Sequence, residues 1–271
     1  LPAKVAYRGG EGNHVALRKI TGQRRHNTKM SPPRFYLDQP LAAGARFNLP
    51  AGPARHAVRA LRLTADDAIT LFNGQGGEYA ARIEHAQKDE VAVRVTGFAG
   101  IERESRLRVM LAQGISSGER MDYTLQKAVE LGVAAIQPIA ARRSVVKLAG
   151  ERADKRVAHW QGVVTSACEQ CGRNRVPTVA TPLTLANWLG RHEAGRLLFL
   201  SPTAATRLAD LPSPAIQDWL IAGPEGGFEA DETAALHAAG AVPVRLGPRV
   251  LRTETAALAA LAAMQTLWGD F

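Results

Sequence analysis

The chain has 271 residues, 46% of them hydrophobic, which is enough for one large or two smaller domains with substantial cores. No apolar run approaches the ~20 residues that span a bilayer, which excludes a helical membrane protein. The N-terminus is polar and basic, and the chain holds only two cysteines, so we expect a soluble, cytoplasmic protein. The formal net charge is +9, but residues 1–29 hold seven basic residues against one acidic residue, so most of the excess lies there.

Residues 1–29 lack a periodic apolar pattern and are rich in Gly, Arg and Asn, a composition typical of disorder. We therefore predict a disordered basic extension. Two interpretations stay open: the segment lies upstream of a natural start at Met30, or it is a basic arm that binds RNA.

Residues 30–100 read as short strands joined by turns. Segments 68–73, 78–85 and 90–98 alternate apolar and polar residues, and GQGG at 74–77 is a hairpin connection. Residues 53–63 predict a short helix with several basic side chains. This composition indicates a small β-barrel, and barrels of this size often bind RNA on a face or rim.

Strand and helix alternate after a charged link at residues 101–106. We predict strands at 107–113, 135–139, 197–200, 220–222 and 242–246, with helices at 119–131, 151–171 and 230–239. This rhythm predicts an α/β fold, in which helices cover a parallel sheet. Ligands bind such sheets beyond the carboxyl ends of the strands.

Two glycine-rich loops follow the last two strands. The first loop, residues 223–228, reads GPEGGF, and the second loop, residues 246–252, reads LGPRVLR. Glycine allows positive φ and close approach to the backbone, so the loops predict a pocket with main-chain walls. Their spacing is not G-x-G-x-x-G, which disfavours a dinucleotide site. Thr253 is expected to cap the final helix. One apolar face of that helix is predicted to comprise Ala257, Leu261, Met264 and Trp268.

The loops and three further motifs together resemble the ribosomal RNA small subunit methyltransferase E family of the SPOUT superfamily. The matching motifs, in chain order, are RFYL at 34–37, KAVELGV at 127–133, EQCGR at 169–173, GPEGG at 223–227 and LGPRVLRTETA at 246–256. The resemblance extends from residue 33 to residue 271, and five motifs in one order make it specific.

The resemblance implies a fold and an activity. Residues 101–271 would form a SPOUT methyltransferase domain whose parallel sheet ends in a C-terminal trefoil knot, preceded by a PUA-like RNA-binding barrel at residues 30–100. A homodimer would transfer a methyl group from S-adenosylmethionine to N3 of a specific uridine of 16S rRNA in the small ribosomal subunit, without a metal. Three alternatives stay open: another SPOUT enzyme acting on tRNA or a 2′-hydroxyl, a non-catalytic RNA-binding module, and a nucleotide-dependent α/β enzyme.

The resemblance also implies a cofactor wall. Its residues are expected at the matching strand ends and loops: Leu200, Ile221, Gly223, Pro224, Gly226, Gly227, Leu246, Gly247, Leu251 and Thr255. RNA contacts are expected from Arg34, Arg55, His56, Arg59, Arg62 and Arg173. In a dimer, the partner subunit's Arg173 would complete the pocket.

Two charged residues are the candidates for catalysis. Arg252 is expected to stabilise the negative charge that develops on uracil as N3 loses its proton, because a guanidinium stays protonated. A salt bridge to Glu254 or a phosphate contact is the alternative for Arg252. The general base is either Glu225 or solvent, and Glu225 also suits a turn-stabilising role.

Cys168 and Cys171 form a C-x-x-C inside a predicted helix. The chain has no second cysteine pair to complete a zinc site, so we expect both to serve packing.

Overall fold

The structure is a computed structural model that describes residues 31–88, 90–145 and 150–271. The predicted disordered extension at residues 1–29, and the start proposed at Met30, lie outside the described residues. Residues 32–271 form one compact unit that contains two sheets. The domain division at residue 100 therefore stays a prediction.

The first sheet has five strands in the order β1-β3-β4-β5-β2. They are β1 (Arg34–Tyr36), β2 (Arg46–Asn48), β3 (Ala68–Phe72), β4 (Glu78–Gln87) and β5 (Glu90–Ala99). Alternate residues of β4 and β5 point inward, so Ile83, Val91 and Val93 are buried in one core with Phe35. The alternation that predicted these strands is therefore confirmed.

The helix predicted at residues 53–63 is shorter than expected. It begins earlier, as α1 (Ala51–Arg55), and continues as a π-helical turn at His56–Ala60. Pro53 is tolerated because it lies in the first turn, where backbone N–H groups have no helical partner. The turn ends where Leu61 donates its N–H to the carbonyl of His56 and Arg62 adopts a positive φ of 56°.

The second sheet has six parallel strands in the order β11-β9-β10-β6-β7-β8. The elements are β6 (Val109–Gly114), α2 (Gly118–Glu130), β7 (Ala135–Ile139), α3 (Glu151–Cys171), β8 (Thr178–Val179), α4 (Leu185–Leu189), β9 (Arg196–Leu200), β10 (Asp218–Ala222), α5 (Ala230–Ala238), β11 (Val242–Val244) and α6 (Thr253–Trp268). This confirms the predicted α/β class, and β7 and α3 have the predicted bounds. The trefoil knot stays a prediction.

Helices cover both faces of this sheet, which explains its apolar central strands. Every residue of β6 and β10 is buried, as expected for parallel strands packed on both sides. Leu111 and Leu220 face a core shared with α6, while Ile221 faces the opposite core. The strand order places the carboxyl ends of β6, β9 and β10 side by side.

The final helix buries most of the predicted apolar face. Ala257, Leu261 and Met264 are fully buried, and Trp268 is partly buried against the same core. The predicted cap is wrong, because the N-cap is Arg252 and Thr253 is the first helical residue. The Thr253 hydroxyl is not available for capping, since it bonds other parts of the chain.

An arginine cluster joins the first sheet to the end of α3. Arg34 pairs with Glu78 and donates to the Asn174 side chain. Burial opposes ionisation of Glu78, but hydrogen bonds from Arg103 and Arg34 lower the pKa of this carboxyl overall. Nearby, Arg173 is 4% exposed. Its guanidinium holds the Glu104 carboxylate through two nitrogens and donates to two backbone carbonyls, those of Val129 and Val133.

Replacing Arg173 by Ala should strongly destabilise the fold, because the Glu104 carboxylate and two buried carbonyls lose their hydrogen-bond donor. We expect the free energy of unfolding to fall by about 3–5 kcal/mol, measured by urea denaturation. The control is Arg175→Ala, because the ion pair of Arg175 with Glu102, at 3.6 Å, is exposed to solvent. That variant should lose less than about 1 kcal/mol. Equal stability of the two variants would contradict a structural role for Arg173.

Candidate active site

The two glycine loops line one cleft of about 490 Å³ beyond the carboxyl ends of β9, β10 and β11. The first loop follows β10 and leads into α5, while the second loop follows β11 and leads into α6. The lining includes the glycines Gly223, Gly227 and Gly247 together with apolar residues such as Phe228 and Val244. This volume lies within the usual range for small-molecule sites, about 300–1,000 Å³.

Glycine at the end of β6 allows the first loop to pack against the sheet. A side chain at Gly114 would overlap the backbone nitrogen and Cδ of Pro224. In the loops themselves, Gly227 has φ +68° and Gly247 has φ +112°. Residues with a Cβ rarely adopt these angles, so glycine is required at both turns. The local shape of the cleft thus depends on three glycines.

Thr253 joins the two loops. Its hydroxyl donates to the carbonyl of Gly223 and accepts a hydrogen bond from the Gln113 amide, with a nitrogen–oxygen distance of 3.0 Å. Gln113 is fully buried at the end of β6. One hydroxyl therefore connects β6, the first loop and the start of α6, which fixes the two cleft walls relative to each other.

Most of the residues expected in the cofactor wall lie in this cleft: Leu200, Gly223, Pro224, Gly227, Leu246, Gly247 and Leu251. Three do not line it. Ile221 is buried in the core below, Gly226 packs against Arg143 on the outer side of the first loop, and Thr255 is exposed on α6.

Arg252 lines the cleft with an exposed side chain. Among the described residues its guanidinium forms no ion pair, so the salt bridge to Glu254 considered from the sequence is absent there. The side chain of Arg249 also lines the cleft. Among the described residues, the cations Arg120, Arg249 and Arg252 line the cleft, and Arg252 is available to a ligand.

Glu225 is held by donors from α2. Its Oε1 accepts hydrogen bonds from the backbone N–H and the hydroxyl of Ser117, at 3.0 and 3.1 Å, and from Arg120 at 3.4 Å. Burial raises the pKa of the Glu225 carboxyl, but these donors outweigh burial and lower it overall. An ionised carboxylate that is already hydrogen-bonded is a weak base. The geometry favours the turn-stabilising role for Glu225.

The residues expected to contact RNA fall into two groups. Arg55, His56, Arg59 and Arg62 are exposed on α1 and the segment that follows it. Arg34 and Arg173 are not surface residues: the Arg34 side chain is 11% exposed and that of Arg173 is 5% exposed, and both pair with carboxylates. Both side chains stabilise the joint between the first sheet and the end of α3, and an RNA contact by either stays a prediction.

Sequence reasoning missed Arg120 and Glu254 as cleft residues. Arg120 lies on α2, 105 positions before its partner Glu225, and no local pattern signals such a contact. Glu254 belongs to the motif at 246–256, and sequence reasoning considered it only as a salt-bridge partner for Arg252.

The cysteine pair lies away from the cleft, within α3. Cys168 is fully buried, and burial raises the pKa of its thiol to about 12. Such a thiol is unreactive at neutral pH. Within the described ranges, no group of three His, Cys, Asp or Glu side chains is arranged to hold a metal ion. None of the helices described is long and apolar enough to cross a membrane.

Comparison with known proteins agrees with this geometry. Residues 103–265 match the model of the RNA methyltransferase domain, and residues 53–96 match that of the RNA methyltransferase PUA domain. Ribosomal RNA small subunit methyltransferase E of Buchnera aphidicola is 30% identical over 88% of this chain and 95% of its own length. The enzyme of that name from Mycobacterium bovis is 34% identical over 86% of this chain and 91% of its own length.

A solved structure is similar over the same region. The crystal structure of ribosomal RNA small subunit methyltransferase E from Neisseria gonorrhoeae, bound to S-adenosyl methionine, is 45% identical with a TM-score of 0.86. The match covers 89% of this chain and all of that one. Together with the matched domains and the relatives of similar length, this places the chain in the ribosomal RNA small subunit methyltransferase E family.

Proposed function

We propose that this RNA methyltransferase uses S-adenosylmethionine to methylate N3 of a uridine in 16S rRNA of the small ribosomal subunit, in the cytoplasm. The observation that carries the proposal is Arg252, which lines a cleft between the two glycine loops and forms no ion pair with any residue that the structure describes. Relatives named for this family, and a similar structure with the donor bound, support it.

The cleft fits the donor on its own features. Its volume suits a nucleoside-sized ligand. Gly227 and Gly247 adopt positive φ in the two loops that line the cleft, and residues without a side chain allow a ligand such as adenine to approach the backbone closely. When bound, the donor supplies a methyl group on a sulfonium, which carries its own leaving group. The protein's task is then to align this carbon with the acceptor nitrogen.

Arg252 suits the acceptor half of the reaction. N3 of neutral uracil is a poor nucleophile, and negative charge spreads to the ring oxygens as its proton leaves. A guanidinium that stays protonated favours this anion by donating hydrogen bonds to O2 or O4. Because the donors at Ser117 and Arg120 lower the pKa of Glu225, we assign proton acceptance to solvent and a positioning role to Glu225.

The target base must be unpaired, because a Watson–Crick pair occupies N3 of uracil. We propose that the exposed cationic segment formed by Arg55, His56, Arg59 and Arg62 contacts the RNA backbone around it. Arg34 and Arg173 are left out of this surface because both are engaged in the fold.

We also propose that the enzyme is a homodimer that uses α6. This helix is apolar on nearly every side, yet Ala259 and Leu267 are exposed, with Leu267 at 45%. A helix that is apolar all round is usually covered. A second copy of the chain would cover this face.

Replacing Arg252 by Ala should abolish turnover and leave donor binding intact. We expect turnover to fall by about 100-fold or more, the usual cost of losing a donor to a developing anion. The assay incubates small subunits that lack the modification with labelled S-adenosylmethionine and maps the label. Isothermal titration calorimetry reports donor affinity, which should change by less than about threefold.

The control for this experiment is Arg249→Ala, which removes a neighbouring cation from the same cleft. It should retain most of the turnover at saturating RNA. If the wild-type enzyme places the labelled methyl group anywhere other than N3 of a 16S rRNA uridine, the proposed function is refuted. A large loss of donor affinity in Arg252→Ala, with normal turnover per bound complex, would make Arg252 part of the pocket wall instead.

Replacing Thr253 by Val should weaken donor binding, because it removes the hydroxyl that ties the two loops. It leaves the buried Gln113 amide and the Gly223 carbonyl short of a partner, at a cost of about 1–3 kcal/mol. We expect donor affinity to fall about tenfold, measured by calorimetry. Thr253→Ser keeps the hydroxyl and should bind normally. Equal donor affinities of Thr253→Val and Thr253→Ser would show that the hydrogen bonds of this hydroxyl do not shape the cleft.

A further inference from the structure

Glu254 is a cleft residue whose carboxylate the protein leaves partly unsatisfied. It lies in the first turn of α6 and lines the same cleft as Arg252. Its Oε2 is buried and has no hydrogen-bond partner in the part of the chain that the structure describes. Buried carboxylate oxygens are normally paired, so this one needs an explanation.

Contacts within the protein do not provide that explanation. The N-terminus of α6 favours a negative charge in its first turn, but it does not supply the missing hydrogen bond. In the described ranges, Arg252 forms no ion pair with Glu254, although it is two residues away. A desolvated carboxylate without a donor is unfavourable, and a cation bound in the cleft that Glu254 lines would stabilise its charge.

The contacts of the cleft's charged residues indicate which carboxylate is available to a ligand. The cleft is lined by two carboxylates, those of Glu225 and Glu254. Glu225 is engaged by Ser117 and by Arg120, its ion-pair partner. Glu254 is therefore the carboxylate that remains for a cation entering the cleft.

Resting on the proposed function, we infer that Glu254 binds the α-ammonium of the methionine part of the donor. The donor carries two cationic centres, a sulfonium and an ammonium. The sulfonium has no N–H or O–H to donate, whereas the ammonium has three N–H donors, like that of lysine. A carboxylate that lacks a hydrogen bond selects the ammonium. Glu254 thus recognises the amino acid end of the donor, while the glycine loops hold the nucleoside.

The test compares two product-like ligands that differ in this one group. These are S-adenosylhomocysteine and its deaminated analogue, which keeps the carboxylate and lacks the ammonium. Calorimetry on the full-length protein should give at least a tenfold preference for S-adenosylhomocysteine, the value of a charge-assisted hydrogen bond. In Glu254→Gln, affinity for S-adenosylhomocysteine should fall and the preference should shrink to less than about threefold. Affinity for the deaminated analogue should stay the same or rise.

The control is Asp231→Asn, which removes an exposed carboxylate at the start of α5 that pairs with Arg142 outside the cleft. It should keep the full preference. A preference that persists in Glu254→Gln, with normal folding by circular dichroism, would overturn the inference. So would a variant that instead loses its discrimination between S-adenosylmethionine and S-adenosylhomocysteine, because that points to the sulfonium. An unmodified enzyme that binds none of these ligands would refute the proposed function itself.

Discussion

The hydrogen bond from the Thr253 hydroxyl to the Gly223 carbonyl is the contact on which the geometry of the cleft depends. It joins two loops that are separated by a helix and a strand. The same oxygen accepts from Gln113, which is anchored in the central strand β6. The close packing of Pro224 against Gly114 adds a second contact between the first loop and β6. Widening the cleft would therefore break at least one buried contact.

The charged residues on the two sides of the cleft differ in their pairing. On the α2 side, Arg120 and Glu225 neutralise each other and hold the first loop. On the α6 side, Arg252 and Glu254 line the cleft two residues apart, and no ion pair between them is found among the described residues. Two opposite charges that are close in sequence but form no ion pair with each other suit a site that binds two different partners. Under the proposed function, the Arg252 guanidinium would serve the base and the Glu254 carboxylate the cationic donor.

Much of this arrangement was predictable from the sequence because it is local. Alternation predicted β3, β4 and β5 of the first sheet, and apolar runs such as 220–222 marked the buried strands of the second. The composition of the glycine loops predicted a pocket between them, and the cleft lies there. The role of Thr253 was not predictable, because a Thr before a helix reads as a cap, and only the folded chain brings Gln113 and Gly223 to its hydroxyl. The pairing of Arg120 with Glu225 was hidden for the same reason.

Two of the sequence motifs contact each other in the fold. Arg34 and Arg173, one in each motif, were expected to contact RNA, and the segments at 34–37 and 169–173 pack together. The Tyr36 backbone donates to the Glu169 carboxylate at 2.9 Å, and Arg34 donates to the Arg173 carbonyl. Burial raises the pKa of Glu169, as the interior of a joint would. Two motifs more than 130 positions apart are thus halves of one interface between the first sheet and α3. Charged residues suit an interface between the first sheet and α3 as well as they suit a contact with RNA. The composition of a motif therefore does not distinguish these two roles, whereas the burial of its side chains does.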